Sequence, residues 1–468
     1  MDLASTKSLH FVGIGGIGVS ALARLFLSMG KKVSGSDRKE SEITLDLRNL
    51  GGRISIGHNA ENIKGADMII YSEDITSESE GYVELAYAAS QEIPAITYSK
   101  ALGLVMEGKY GIGITGTNGK STTTALLGLM LEDAGMDPSV VVGTKLSKIN
   151  ETEKFKANAR LGNSKLMVVE ADEYHRHMMD NKPSMIVLTN VAEDHLDYYK
   201  DLSEIKHAFS DYIHSLPKSG ALIYNADDHN AVEVGRQAGC HKFTFGIHHY
   251  ADLQAINIKV EHAKQFFDMH FKDQFFANIE MQVPGAFNIS NALGATLAAI
   301  RLGVDVVHIT KVLKEFAGTW RRFEKIGEVG RTTIISDYGH HPAGVKETIK
   351  AAKEFYPGKN ILLVFQPHHR NRTKKLMGEF VESLVLADSI LLPEIFDVAG
   401  REHGEDVSSK QIVEELVKLK VDAKFTGNLE ETELVVKQKI KDFDVIIFMG
   451  AGDIDGLARK IATEIFNI

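Results

Sequence analysis

At 468 residues, with 44% hydrophobic and 25% charged content, the chain is of globular composition and too long for one core; about three domains are expected. A net charge of −10 excludes nucleic acid or anionic membrane as the main partner, since both demand basic surface, but leaves room for an anionic small substrate met by a local basic cluster. The single Cys240 excludes an internal disulfide and any multi-cysteine metal site, in keeping with a reducing cytoplasm, and no run is apolar enough for a membrane span.

The first strand, Ser8 to Val12, leads into Gly13-Ile14-Gly15-Gly16-Ile17-Gly18 and a helical run to Met29. Lys7 ahead of the apolar run Phe11–Leu27 could suggest a targeting segment, but four glycines and Arg24 break it and no cleavage site follows. G-x-G-x-x-G between strand and helix, with Asp37 ending the next strand, reads by itself as a dinucleotide-binding turn, or as a purely structural glycine turn of a doubly wound domain. Strand-like Met68–Tyr71 and Ala95–Thr97 continue the alternation to a boundary near Gly108.

Next comes Gly111-Ile112-Gly113-Ile114-Thr115-Gly116-Thr117-Asn118-Gly119-Lys120-Ser121, a buried strand, a tight turn and the start of a helix. Backbone N–H groups of such a turn, with the positive end of a helix, form a nest for phosphate. Lys120 would reach terminal phosphates and the Ser121 hydroxyl is placed to ligate Mg²⁺. Ile114 stands where the general pattern has glycine, so the loop is a shortened variant. Leu166–Glu173 and Met185–Asp197 are apolar strands ending in acids, the second with His195. Singly, each acid reads most simply as a solvated loop residue; together, beside a phosphate loop, they point to a metal.

Residues 251–283 alternate with period two and predict an antiparallel β insert without chemistry. Asn288 and Asn291 open a helix, where they would either read an adenine edge or simply cap it. Arg321 and Arg322 suit a terminal phosphate or a solvated surface. Three further strands end in Asp337-Tyr338-Gly339-His340-His341-Pro342, Gln366-Pro367-His368-His369, and Gly450-Ala451-Gly452, which describes a second doubly wound domain.

Taken in order with Gly57-His58, Arg321-Arg322-Phe323 and Arg372-Thr373, these motifs resemble the Mur ligase family nearly end to end, most closely its alanine-adding branch. The resemblance implies an α/β fold of three domains: residues 1–108, Rossmann-like, for the UDP-sugar; 109–323, a P-loop ATPase-type domain with the β insert; and 324–468, Rossmann-like, for the amino acid and part of the ATP site. It turns the N-terminal glycine motif from a dinucleotide site into one for a sugar nucleotide.

The reaction implied is ligation of L-alanine to the carboxylate of UDP-N-acetylmuramate, with ATP and Mg²⁺, through an acyl phosphate, in the cytoplasm; joining a preformed murein tripeptide is the alternative. By the match, Gly13, Ile14, Gly15, Gly16, Ile17, Gly18, Asp37 and His58 hold the UDP-sugar. Gly116, Thr117, Asn118, Gly119, Lys120, Ser121, Thr122, Asn288, Asn291, Arg322 and Asp337 hold ATP. Ser121, Glu170 and His195 ligate metal; Lys120, Glu170, His195 and Arg322 are catalytic; His340, His368 and Arg372 line the amino-acid and carboxylate pocket.

This chain departs from the family pattern in several places. Asn118 and Ser121 stand for His and Thr, Phe287 for His, and His369 for Arg. Glu73-Asp74 falls where small hydroxyl residues are usual, and the stretch Tyr174–Met178 differs. Phe209 falls where other branches carry a carbamylated lysine, which suits the alanine-adding branch.

Overall fold

The computed structural model describes residues 3, 5–145, 158–195, 198–397 and 407–464, so Leu196 and Asp197 lie outside it. It contains three sheets of five, ten and six strands, as the alternating pattern predicts. Two compact units hold them: Met1–Ile258 with Phe267–Ile279 and Phe287–Phe316, and Lys259–Phe266 with Glu280–Ala286 and Ala317–Ile468.

The first sheet runs Arg53–Ile56, Lys32–Asp37, Ser8–Val12, Met68–Tyr71, Ala95–Thr97, every pair parallel. Strand order reverses at Ser8–Val12, and the crevice beyond such a reversal is where open α/β sheets bind ligands. The loop after Ser8–Val12 is Gly13–Gly16; the loop after its neighbour begins at Ser72, whose Cβ would lie 3.3 Å from a Cβ placed on Gly13. Gly13 has φ +78°, which makes the turn.

In the ten-stranded sheet, Tyr110–Thr115 lies between Met185–Leu188 and Leu166–Glu170, all parallel. These strands are buried nearly throughout, because helices cover both faces, and so they read as continuous apolar runs rather than alternating ones. Register pairs Leu188 with Thr115 and Ile114 with Glu170. The three segments that follow therefore emerge side by side at one edge.

The insert forms Leu253–Glu261, Lys264–Phe271 and Gln274–Met281. Two-residue turns join them, His262-Ala263 and Lys272-Asp273, all four residues with φ between +49° and +63°. Turns of that hand match the twist of antiparallel strands, so the hairpins expected from the alternation are present.

Within the first unit, the core of the five-stranded sheet (Leu9, Phe11, Leu22, Phe26) continues into Val141, Met167 and Val169. Asn158 Nδ2 donates to Ile17 O (2.6 Å), and Ser99 Oγ to Asp180 Oδ2 (2.5 Å). A Cβ at Gly103 would lie 2.1 Å from Asp180 O, so only glycine permits that approach. These contacts join the helices of the first sheet to Asn158 and Asp180 of the central region.

The six-stranded sheet of the second unit is ordered Glu324–Val329, Thr332–Asp337, Val445–Met449, Ile361–Phe365, Ser389–Pro393, Asp422–Gly427, with only the first strand antiparallel. Met449 pairs with both Asp337 and Phe365, which brings the three motif-bearing loops to one edge.

Candidate functional site

The glycine turn Gly116–Gly119 leads into the helix Lys120–Asp133. Gly116 (φ +132°) and Gly119 (φ +86°) are both required: added Cβ atoms would fall 2.1 Å from Thr189 Oγ1 and Asn291 Oδ1, respectively. A strap after Met185–Leu188 holds the turn. Thr117 N–H donates to Asn190 O (3.0 Å) and Asn118 N–H to Asn190 Oδ1 (3.0 Å), while Asn190 Nδ2 donates back to Asn118 O (2.8 Å). Thr117 Oγ1 accepts from Ala192 N–H (2.9 Å). With the turn tied down, the first-turn amides of the helix, Lys120, Ser121 and Thr122, have no intrahelical acceptors and present a positive helix end.

Lys120 folds back over the turn. Its ammonium donates to Gly116 O (2.7 Å), Thr117 O (3.3 Å) and Glu173 Oε2 (2.7 Å). Burial would lower its pKa, but the carboxylates of Glu173 and Asp172 outweigh this and hold it above the ordinary lysine value. Burial pushes the Glu173 carboxyl up to about 8, against the pull of Lys120. Ser121 Oγ donates to Glu170 Oε1 (3.0 Å), Gly143 N–H donates to Oε2 (2.7 Å), and burial raises the Glu170 carboxyl as well.

His195 Nε2 lies 3.8 Å from Glu173 Oε1 and 4.0 Å from Asp194 Oδ2. Tyr174 lies against the imidazole, ring centroids 4.5 Å apart. The structure thus groups Ser121 with Glu170, and His195 with Glu173; Asp172, Glu173 and His195 form a group whose donor atoms all lie within 4.8 Å of one another. The carboxylate oxygens of Asp172 and Glu173 suit a hard cation such as Mg²⁺, to which His195 would add one nitrogen. Glu173 Oε1, buried with no hydrogen-bond partner, is an orphaned acceptor of the kind a cation satisfies.

Asn288 and Asn291, both nearly buried, sit in the first turns of Ala286–Arg301. Asn291 Nδ2 points to Asn288 Oδ1 (3.4 Å), while its Oδ1 abuts Gly119.

At the glycine loop of the first sheet most amides are already engaged. Those of Gly13 and Ile14 donate to Ser36 O (2.9 and 3.0 Å), Gly15 N–H donates to Asp37 Oδ2 (2.8 Å), and Gly16 N–H to Gly13 O (3.1 Å). Asp37 thereby shapes the loop. The first-turn amides of the helix Ile17–Ser28, at Ile17, Gly18 and Val19, have no intrahelical acceptor and form the anion-facing end. The Tyr98 ring lies over Gly18, where an added Cβ would come 3.1 Å from Tyr98 Cζ. Burial, then Glu170, Glu73 and Asp172, raise the Tyr98 phenol. His58 is almost fully enclosed and turns Nδ1 toward Ser36 Oγ (3.1 Å) and Glu84 Oε1 (3.3 Å).

In the second unit, Asp337 is buried. Its Oδ2 accepts from Phe323 N–H (2.8 Å) and its Oδ1 from Gly339 N–H (2.7 Å); burial raises it, against Arg322. Arg321 is the buried member of the arginine pair and donates to Gly450 O and Gly452 O, while Arg322 is exposed, 5.0 Å from the Tyr338 ring centroid. His340 and His368 rings are 6.0 Å apart. His368 stacks on Phe396 (5.3 Å), and burial, with His369, His340 and Arg372 nearby, holds its pKa down to about 3. Gln366 Nε2 donates to Asp453 Oδ1 (2.8 Å), pinning the Gly450–Gly452 turn.

The sequence marks the loop, its lysine and the acids beside it, but not Glu173 as the lysine's partner, nor the Asn190 strap, Tyr98 or Glu84. The first two lie inside motifs whose internal roles depend on backbone direction; the last two lie in ordinary helices with no local signal.

Three family models match: "Mur ligase family, catalytic domain" over residues 8–110, "Mur ligase middle domain" over 114–299, and "Mur ligase, glutamate ligase domain" over 321–452. The chain is similar to a UDP-N-acetylmuramate–L-alanine ligase of Alkaliphilus metalliredigens, 36% identical over 99% of both chains. It is also similar to one of Clostridium novyi, 38% identical over 96% of both. A UDP-N-acetylmuramate-alanine ligase of known structure from Thermotoga maritima matches with TM-score 0.82 and 28% identity, covering 97% of this chain and 98% of that one.

Proposed function

The chain belongs to the Mur ligase family, and from that premise we propose that it joins L-alanine to the lactyl carboxylate of UDP-N-acetylmuramate, converting ATP to ADP and phosphate, in peptidoglycan precursor synthesis. The names of the full-length relatives support the substrates. The observation that carries the reading is the arrangement of Lys120 on Glu173 (2.7 Å) beside Ser121 on Glu170 (3.0 Å), at the open first turn of a helix.

A carboxylate resists amine attack because its oxygen is a poor leaving group. In the proposed reaction a carboxylate oxygen attacks the γ-phosphorus and ADP leaves. The alanine nitrogen then attacks the acyl carbon, loses its proton, and phosphate departs with that oxygen. Each step brings anions together, so fixed cations and dipoles aimed at the transferring group do most of the work.

The diphosphate of the sugar nucleotide rests on the amides of Ile17, Gly18 and Val19, with Asp37 keeping the loop in shape. The sugar extends past Tyr98 toward the acids. ATP phosphates lie on the amides of Lys120, Ser121 and Thr122, over a loop built from Gly116, Thr117, Asn118 and Gly119. Lys120 exchanges its loop carbonyls for the terminal phosphates. Asn288 and Asn291 flank adenine, Asp337 the ribose, and Arg322 the γ-phosphate. His340, His368 and Arg372 receive the amino acid and the muramyl carboxylate. Ser121 and Glu170 would hold one Mg²⁺, and His195 with Glu170 or the orphaned Glu173 oxygen a second. Bound Mg²⁺ supplies neutralisation of the charge between carboxylate and triphosphate.

We assign residues 1–108 to the sugar nucleotide, 109–323 to ATP, and 324–468 to the amino acid and part of the ATP site. No helix among the described residues is long and apolar enough to cross a membrane, and with these water-soluble substrates we place the enzyme in the cytoplasm. Phosphate release dependent on UDP-N-acetylmuramate, with L-alanine compared against a preformed murein tripeptide, tests the assignment. Turnover with alanine is expected; turnover only with the tripeptide would replace it.

A further inference from the structure

Glu84 lies on the helix Tyr82–Ser90, in no motif, and its side chain is fully enclosed. A carboxylate in that position is costly unless donors surround it. They do. His10 Nε2 (3.0 Å) and Ser36 Oγ (2.7 Å) reach Oε2; His58 Nδ1 (3.3 Å), Asn59 N–H (3.1 Å) and Asn62 Nδ2 (2.8 Å) reach Oε1. His10 and Ser36 belong to the two adjacent strands whose ends carry the glycine loop and Asp37, and His58 follows the third. The donors outweigh burial and hold the carboxyl below the ordinary glutamate range.

The proton inventory fixes the His58 ring. Ser36 has one hydroxyl hydrogen, and it goes to Glu84. The Ser36 oxygen can then only accept from His58 Nδ1, and the Glu84 oxygen beside it can only accept too. A bare Nδ1 would face two lone pairs, so Nδ1 carries hydrogen. The other ring nitrogen, Nε2, is then an acceptor in the neutral imidazole.

We propose that Glu84 is a positioning residue of the sugar-nucleotide site, holding His58 in the Nδ1–H tautomer so that Nε2 accepts a hydrogen bond from the nucleoside. The inference rests on the sugar-nucleotide reading above and deepens it. An acceptor nitrogen matches a uracil N3–H or a ribose hydroxyl; it has nothing to offer a fully ionised pyrophosphate. The phosphates are left to the helix amides of Ile17, Gly18 and Val19. Glu84 therefore governs recognition of the nucleoside and not of the charge.

Two measurements test this on the full-length protein. Long-range ¹⁵N NMR of histidine-labelled wild type, with His58 assigned by a His58→Gln variant, should show the Nδ1–H tautomer; an Nε2–H signal overturns the proposal without any Glu84 variant having to fold. Calorimetry with UDP and with inorganic pyrophosphate then compares wild type with Glu84→Gln, whose amide can turn a donor toward His58. UDP affinity should fall about tenfold, the order of one lost hydrogen bond, with pyrophosphate affinity, KM for ATP and kcat at saturation changed less than about twofold. Equal UDP affinity in the two proteins overturns this inference alone, as does parallel loss of UDP and pyrophosphate. Wild type that binds no UDP overturns the sugar-nucleotide reading along with it.

Discussion

In the proposed reaction Lys120, Glu170 and His195 act where charge accumulates, so their loss should appear in kcat rather than in folding. Replacing Lys120 by Ala is expected to abolish phosphate release, and Glu170→Ala or His195→Ala to lower kcat by about 10²-fold or more; wild-type turnover in all three would remove their assigned roles. Glu173→Gln gives a second readout. It removes the negative charge 2.7 Å from the Lys120 ammonium while keeping an amide oxygen that accepts from it, and a steady-state comparison should show a larger change in kcat than in KM for UDP-N-acetylmuramate. His368 bears on pH. Its native pKa of about 3 lies below the ordinary histidine value. Between those values the unfolded chain binds a proton that the native state refuses, so stability falls as pH drops from about 6.5 toward 3. The Tm of His368→Gln should fall less steeply over that window than wild type; identical slopes would contradict the burial argument. At this scale the sequence was legible where chemistry is local. Gly119-Lys120-Ser121 announces itself, because neighbouring residues do the work. Glu84 gives no signal, because its five partners come from three other segments that only folding assembles.

The strap from Thr189 to Ala192 explains how a glycine turn keeps one shape. Asn190→Ala would leave the Asn118 N–H without its partner and Asn118 O with one donor, Thr189 Oγ1, instead of two. KM for ATP should then rise about 3- to 10-fold with KM for the sugar nucleotide unchanged; equal changes in both would show that the strap acts on the fold rather than the loop. Gly119→Ala places a Cβ 2.1 Å from Asn291 Oδ1 at a φ of +86°. This variant should lose the thermal shift given by Mg-ATP in wild type while keeping that given by UDP. Strands and helices were readable because each leaves a local hydrophobic pattern. The buried central strands announced themselves as apolar runs, and the insert by alternation from Leu253 to Val260. Its turns were not readable: His262-Ala263 and Lys272-Asp273 lack the Asn-Gly signature, and strand pairing forces their left-handed backbone.

Over the whole molecule, a protein of net charge −10 takes substrates that are themselves anions. The reading resolves this locally, through helix ends at Ile17–Val19 and Lys120–Thr122, the Lys120 ammonium, and metal held by acids. Alternation of strand and helix was enough to anticipate three α/β regions. It did not give strand order, which depends on crossovers between distant segments, and so it could not place Glu170, Thr189 and Gly116 side by side. It also left open whether the first glycine turn serves a dinucleotide; the joint order of motifs favours a sugar nucleotide there.

The central claim is that the muramyl carboxylate is phosphorylated before alanine adds. The most direct measurement uses UDP-N-acetylmuramate labelled with ¹⁸O in both carboxyl oxygens, incubated with ATP, Mg²⁺ and L-alanine, followed by mass spectrometry of both products. The account predicts one ¹⁸O in the released phosphate and one in the new amide carbonyl. Alanyl product formed with no ¹⁸O in the phosphate would contradict it.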